Sequence, residues 1–159
     1  MGSRSKIDLA YIAGFLDGDG SLMLQLKKRK DGKLKWRFMG TICFYQDSRH
    51  EKPLSWIRKV LSIGYLSKRN DGISELRING FAQISDILEN LQPFIRFKKI
   101  QAAAMITAMN ILSEKAGSKL TEKDLRKLVE CMIIVQNSNY MAKRKKTRKE
   151  LLKILDLTP

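Results

Sequence analysis

In AGFLDGDGSLMLQL, residues 13–26, two carboxylates flank one glycine, and a leucine then recurs at every second position. Asp17 and Asp19 stand where a helical pattern ends. Carbonyls without intrahelical partners make that end negative, so two further anions there need compensation. A divalent cation supplies it. Magnesium suits a site of one or two carboxylates, a backbone carbonyl and water, completed by phosphate oxygens. Glycines on either side of Asp19 leave room for a phosphodiester backbone. The alternative is a plain turn between helix and strand, which Asp-Gly also makes well. A calcium loop of the EF-hand kind fits less well: it wants Gly at its sixth position and Glu at its twelfth, where this chain has Leu22 and Lys28.

The elements that must position these acids follow from periodicity. Ile7, Ala10, Tyr11, Gly14 and Phe15 keep near-helical spacing and predict a helix over 7–18 that stops at its glycines. Ala10 and Gly14, four apart, bare one edge of it for close approach of another helix. From Leu22 the period is two: Leu22, Leu24 and Leu26 point one way, Met23, Gln25, Lys27 and Arg29 the other. Asp31-Gly32 supplies a hairpin turn. The return strand sets Leu34, Trp36, Phe38, Ile42 and Phe44 against Lys33, Lys35, Arg37, Thr41, Cys43 and Tyr45.

Pro53 opens a helix through Trp56, Ile57, Val60 and Leu61 that Gly64 closes. A second hairpin turns at Asn70-Asp71-Gly72, with Leu66, Leu76 and Ile78 inward and Ser67, Arg69, Glu75 and Arg77 outward. Helical stripes follow through Ile84, Ile87, Leu88 and Leu91, and from about Phe94 to Lys115. After Gly117, Thr121 and Asp124 form a capping-box pattern ahead of Leu125, Leu128, Val129 and Met132. The order helix, two strands, helix, two strands, helix predicts an α+β fold: helices cover one face of a four-stranded antiparallel sheet, and the other face is left to a ligand.

Charge indicates which ligand. Lys and Arg number 31 against 16 Asp and Glu, a net charge of +15 whose self-repulsion makes most sense with a polyanion as partner. Nucleic acid leads, ahead of a basic ribosomal or membrane-surface role. KKRKDGKLKWR, over 27–37, concentrates seven basic residues on one hairpin, and six of the seven residues from Lys143 to Lys149 are basic. A β-ribbon fits the major groove. There Gln25 can read adenine, Arg29, Arg37, Arg69 and Arg77 guanine, and Thr41 a thymine methyl.

A chain of 159 residues suits one domain, read here as 7–159 with a core over 7–115 and a basic helical tail over 121–159. The opening MGSRS looks like a cloning remnant, so residues 1–6 are read as a flexible start. Two cysteines 88 positions apart and a single histidine indicate neither a disulfide scaffold nor a zinc site, which suggests a reducing, intracellular setting. The apolar run over 102–112 is interrupted by Thr107 and Asn110 and falls short of the ~20 residues of a spanning helix, so no membrane segment is expected.

The stretch YIAGFLDGDGS, residues 11–21, closely resembles the signature of LAGLIDADG homing endonucleases; the predicted element order and LQPFIRFKKIQA, over 91–102, agree with that family. The likeness covers residues 7–102, and the last third agrees only in being helical and basic. It implies an intron-type, site-specific endonuclease, in archaeal cytoplasm or an organelle, whose sheet saddles the major groove of double-stranded DNA. The motif occurs once, which implies a homodimer with Ala10, Ala13, Gly14 and Asp17 in the seam and a pseudo-palindromic target. Asp19 then takes the place of the metal-binding acid and Gly18 that of its neighbouring carbonyl. The implied cofactor is Mg²⁺, with Mn²⁺ an alternative and Ca²⁺ binding without supporting cleavage; no small-molecule cofactor is implied. Gln46, Lys98 and a basic residue on the turn after Gln46, His50 or the adjacent Arg49, match groups that order water near the phosphate. Lys143, Arg144 and Lys146 resemble the phosphate-gripping tail. Relatives with this motif also include intron maturases, and a noncatalytic DNA-binding protein is a third possibility on the same fold.

Overall fold

Helix α1 begins at a cap that the composition hides. The Ser5 side chain accepts a hydrogen bond from the Asp8 N–H, and Lys6–Asp19 forms α1. Arg4 pairs with Asp86 at 3.1 Å. The expectation of a flexible start over 1–6 is therefore corrected: residues 4–6 belong to the folded body. The computed structural model describes residues 4–31, 35–139 and 143–159.

The chain leaves α1 directly into β1 (Gly20–Lys28). A side chain at Gly20 would place its Cβ 2.8 Å from the Leu16 backbone, so only glycine permits so abrupt an exit. β2 (Trp36–Asp47) returns antiparallel, with Leu22 opposite Ile42 and Gln25 opposite Met39. A short turn, Ser48–His50, leads to α2 (Lys52–Leu61), and a hairpin of β3 (Tyr65–Lys68) and β4 (Ile73–Ile78) follows. Gly64, with φ of +117° and no room for a Cβ beside Leu76, makes the bend between α2 and β3.

The sheet is antiparallel throughout, in the order β1-β2-β4-β3. Leu22, Leu24, Leu26, Ile42, Phe44, Leu76 and Ile78 are buried on one face, together with the inner stripes of the helices. Those are α1, α2, α3 (Phe81–Leu91), α4 (Lys99–Glu114), α5 (Glu122–Ser138) and α6 (Arg148–Ile154). Six helices over a four-stranded sheet make up the described residues, an α+β architecture. None of these helices is long and apolar enough to cross a membrane.

Two boundaries differ from the periodic reading. α4 starts at Lys99 rather than near Phe94, because residues 96–98 donate their N–H groups sideways to Asp17 instead of into a helix. In the tail, Thr121 and Asp124 do form the capping box of α5, but Lys143 to Lys146 are not helical; a second box, Thr147 with Glu150, delays α6 to Arg148. Of the first hairpin, Gly32, Lys33 and Leu34 lie outside the described residues, so the reading of Lys33 as an outward residue has no structural counterpart.

Candidate active site and nucleic-acid interface

The two acids of the opening motif part company. The Asp17 carboxylate accepts hydrogen bonds from the N–H groups of Arg96 (2.6 Å), Phe97 (3.2 Å) and Lys98 (3.0 Å), which tethers the segment before α4 to the end of α1. Its carbonyl accepts from Lys98 Nζ at 2.7 Å. Asp17 thus ties its own chain together while remaining half-buried. Asp19, one turn-end later, stays exposed.

Lys98 lies over both acids. Burial pushes its ammonium below the ordinary lysine range, opposed by the carboxylates of Asp17 and Asp19. Gly18, Asp19 and Lys98 line one cleft of about 730 Å³ that continues along Ser21, Met23, Gln25 and Lys27. Tyr45 closes one side, its hydroxyl 3.1 Å from Ser21 Oγ. Arg144 and Lys146 line the far side. They are carried there by Asn139, whose amide donates to the Leu22 carbonyl at 2.9 Å, by Gln136, which clamps the Lys146 backbone, and by the Lys146 ammonium 5.8 Å from the centre of the Trp36 ring. Lys143 is exposed but does not line the cleft.

The donor set fits a hard divalent cation held in part by the protein. Asp19 offers an exposed carboxylate, and Gly18 a carbonyl in the last turn of α1, where carbonyls lack helical partners. No cluster of three or more His, Cys, Asp or Glu able to enclose a metal occurs among the described residues, so one protomer supplies only part of a shell. A magnesium site that relies on water and phosphate oxygens has this character.

Gln46 and His50 do not line the cleft. Gln46 lies two residues past Phe44, the partner of Gly20, and its side-chain oxygen accepts from the Asp47 N–H. His50 is exposed on the turn that follows. Its neighbour Arg49 is engaged: Nε and Nη2 donate to the two oxygens of Asp47 at 3.0 and 2.7 Å. Those bonds hold the Asp47 carboxyl well below the usual carboxylate range.

The outward sheet face follows the expected alternation, with one correction of depth. Lys27, Arg29, Lys35, Arg37 and Arg69 are exposed, and Met23, Gln25, Tyr45, Ser67, Glu75 and Arg77 are half-buried. Thr41 and Cys43, expected to be accessible there, are 1% and 0% exposed. They sit on β2, flanked by β1 and β4, where neighbouring side chains close over them; Thr41 instead donates to Asn79 at 2.9 Å. Glu75 holds Arg77 at 3.0 Å. Tyr65, paired with Arg77 across the outer edge and 70% exposed, is an aromatic on this face that alternation over 65–69 signals but charge counting passes over.

The edge of α1 divides in the same way. Ala10 and Gly14 are exposed, whereas Ala13 is fully buried in the protomer's own core and leaves the list of seam residues. A Cβ added at Gly14 or Gly18 meets nothing within 4 Å. Within the protomer, nothing requires glycine at either place.

A family model described as LAGLIDADG endonuclease matches residues 12–101, the stretch from α1 through the start of α4. The chain belongs to the LAGLIDADG endonuclease family. Among LAGLIDADG relatives, it is 32% identical to DNA endonuclease I-CvuI of Chlorella vulgaris over 77% of this chain and 76% of that one. It is 25% identical to DNA endonuclease I-CreI of Chlamydomonas reinhardtii over 96% and 91% of the respective chains. A crystal structure of I-CvuI with the I-CreI target and 2 mM Mg, its DNA not cleaved, superposes with a TM-score of 0.78 at 27% identity, covering 95% of this chain and 94% of that one. The LAGLIDADG motif of this chain is the segment in which the exposed glycine edge, the tether at Asp17 and the exposed acid at Asp19 follow one another.

Proposed function

We propose that this chain is a site-specific, divalent-metal-dependent DNA endonuclease that works as a homodimer on a long pseudo-palindromic duplex and leaves a staggered double-strand break. The observation that carries the reading is the exposed Asp19 at the end of α1, beside Lys98 and at the head of a basic sheet face.

The reading face docks in the major groove: Gln25, Arg37, Arg69 and Arg77 address base edges, while Lys27, Lys35, Lys143, Arg144 and Lys146 meet phosphates. Docking brings a phosphate into the cleft beside Asp19. Asp19 Oδ and the Gly18 carbonyl would hold the cation, which supplies charge neutralisation on the reacting oxygens and an activated water. Lys98, fixed by the Asp17 carbonyl, donates to a phosphate oxygen. Its lowered proton affinity makes it a better donor as charge builds on the leaving group. On the turn after Gln46 the Arg49 guanidinium is paired with Asp47, and we assign the ordering of water to His50 together with Gln46, four residues before it.

What supports the dimer is the bare surface at Gly14 and Gly18, which leaves room for a second helix. Each protomer brings one Asp19 and addresses one strand. The test is Asp19→Asn on plasmid carrying a target selected from randomised DNA. Cleavage falls by about 10³-fold, and metal-free binding stays as tight or tighter. An Asp19→Asn protein that still cuts overturns the assignment. A parent protein that binds but never nicks, with Mg²⁺ or with EDTA, identifies a binding protein or maturase instead.

A further inference from the structure

Ser74 interrupts an apolar stripe. Leu76 and Ile78 follow it on the inner face of β4, all three are 0% exposed, and Ser74 alone of them carries a hydroxyl. A buried hydroxyl needs a partner for its proton and another for its oxygen. Ser74 has both. It donates to Glu51 Oε2 at 2.8 Å. An ionised carboxylate, here with Lys68 Nζ 3.6 Å away, only accepts, so the 2.9 Å contact with Ser48 Oγ runs the other way: Ser48 donates and Ser74 accepts. The chain from Ser48 through Ser74 to Glu51 has one direction.

Its two ends bracket His50. Ser48 and Glu51 flank that residue on the turn, and both reach the same Ser74 oxygen, which pins the turn to β4 on either side. The backbone adds a bond of 2.8 Å from the Ser48 N–H to the Gly72 carbonyl, in the bend of the β3–β4 hairpin. Glu51 is the N-cap residue of α2, yet its side chain accepts from no N–H of that helix. It is spent on the hairpin instead. The Arg49–Asp47 clasp closes the turn onto the end of β2, and the serine chain ties it to the hairpin that carries Arg69 and Arg77. Ser74 is also the ladder partner of Gln46. One buried hydroxyl therefore stands beside both groups to which the ordering of water is assigned above.

We propose that Ser74 and Glu51, linked to Ser48, are positioning residues for cleavage: they fix the His50 turn against the β3–β4 hairpin, so that His50 and Gln46 keep one geometry when the hairpin is seated on DNA. This rests on the endonuclease reading above. A displacement of about 1 Å at a reacting centre costs about 10²-fold in rate. Bonds on both flanks of His50 are placed to prevent one.

The single histidine of the chain makes the turn observable without any cleavage. In protein grown with isotopically labelled histidine, the His50 amide gives one signal, and in the parent its relaxation matches that of the adjoining helix. Ser74→Ala and Glu51→Ala add motion to it. Glu51→Gln, whose amide oxygen still accepts from Ser74, does not. An amide that moves no more in the alanine variants than in the parent overturns the positioning chain, whether or not the protein cuts DNA. Single-turnover cleavage at saturating protein then measures the consequence. The rate falls about tenfold in Ser74→Ala and Glu51→Ala, DNA affinity stays within about twofold, and Glu51→Gln keeps most of the parent's rate. Glu51→Gln as slow as Glu51→Ala overturns the role of the bonds. In a His50→Ala background, Ser74→Ala gives no further fall; an undiminished fall there overturns action through His50. A parent that never cuts overturns the endonuclease reading, and the relaxation result then decides the chain by itself.

Discussion

Asp17 and Asp19 are two residues apart and identical in type, and the fold gives them opposite tasks. Asp17 satisfies three N–H groups from 79 to 81 positions away in the sequence. Removing such charge-assisted bonds costs about 1–2 kcal/mol, so Asp17→Ala lowers the melting temperature by a few degrees, roughly 2–6 °C for a domain of this size. It also loosens Lys98, so cleavage falls although Asp19 is untouched; thermal melts and single-turnover assays on one preparation check both. The thiols supply a second residue-scale prediction. Burial pushes Cys43 and Cys131 above the ordinary thiol range, so less thiolate is present at pH 7–8 than in a free cysteine. A disulfide reagent in that pH window leaves both unlabelled in the native protein and labels both once it is denatured. From the sequence, the acid pair and its cation chemistry were legible as one option beside a plain turn; the family resemblance separated Asp19 from Asp17. The tether that does so physically was invisible, because no local pattern links position 17 to positions 96–98. The Arg49–Asp47 pair likewise had no signal beyond proximity.

At the scale of elements, period-two alternation placed nearly every side chain of both hairpins on its correct face, because a pleated strand has no other option. It did not report depth. Thr41 and Cys43 obey the alternation and are still closed off, since β2 is an inner strand and their neighbours lean over them, while Arg69 and Tyr65 toward the β3 edge remain open. The tail was misread as helix through 143–146 because basic residues are good helix formers, and the Thr147 cap that starts α6 lies after them. Helix α1 gives a prediction of opposite signs. Gly14→Ala adds a methyl where nothing lies within 4 Å and removes the penalty of glycine in a helix, about 1 kcal/mol, so the isolated protomer becomes more stable. In the proposed homodimer the same methyl obstructs the partner's helix, so that dimer dissociates more readily. Melting of the monomer and sedimentation of the dimer measure the two effects separately.

For the whole molecule, the surplus of +15 gathers on the first hairpin, on the sheet face and on the tail that crosses beside β1. Each phosphate neutralised lowers the log-log dependence of affinity on salt by about 0.9, and six such contacts make binding about 10³-fold weaker between 50 and 200 mM salt. Titrations at several salt concentrations measure that slope, and Lys146→Ala reduces it by about one without changing which sequences are preferred. The abrupt passage from α1 into β1 at Gly20 has a last consequence. In the proposed homodimer, no linker separates the helix that meets its twin from the acid that addresses the backbone, so the gap between the two acids is set by how the helices cross. Re-addressing the enzyme through its outward residues should therefore change where it cuts and keep the overhang the same length.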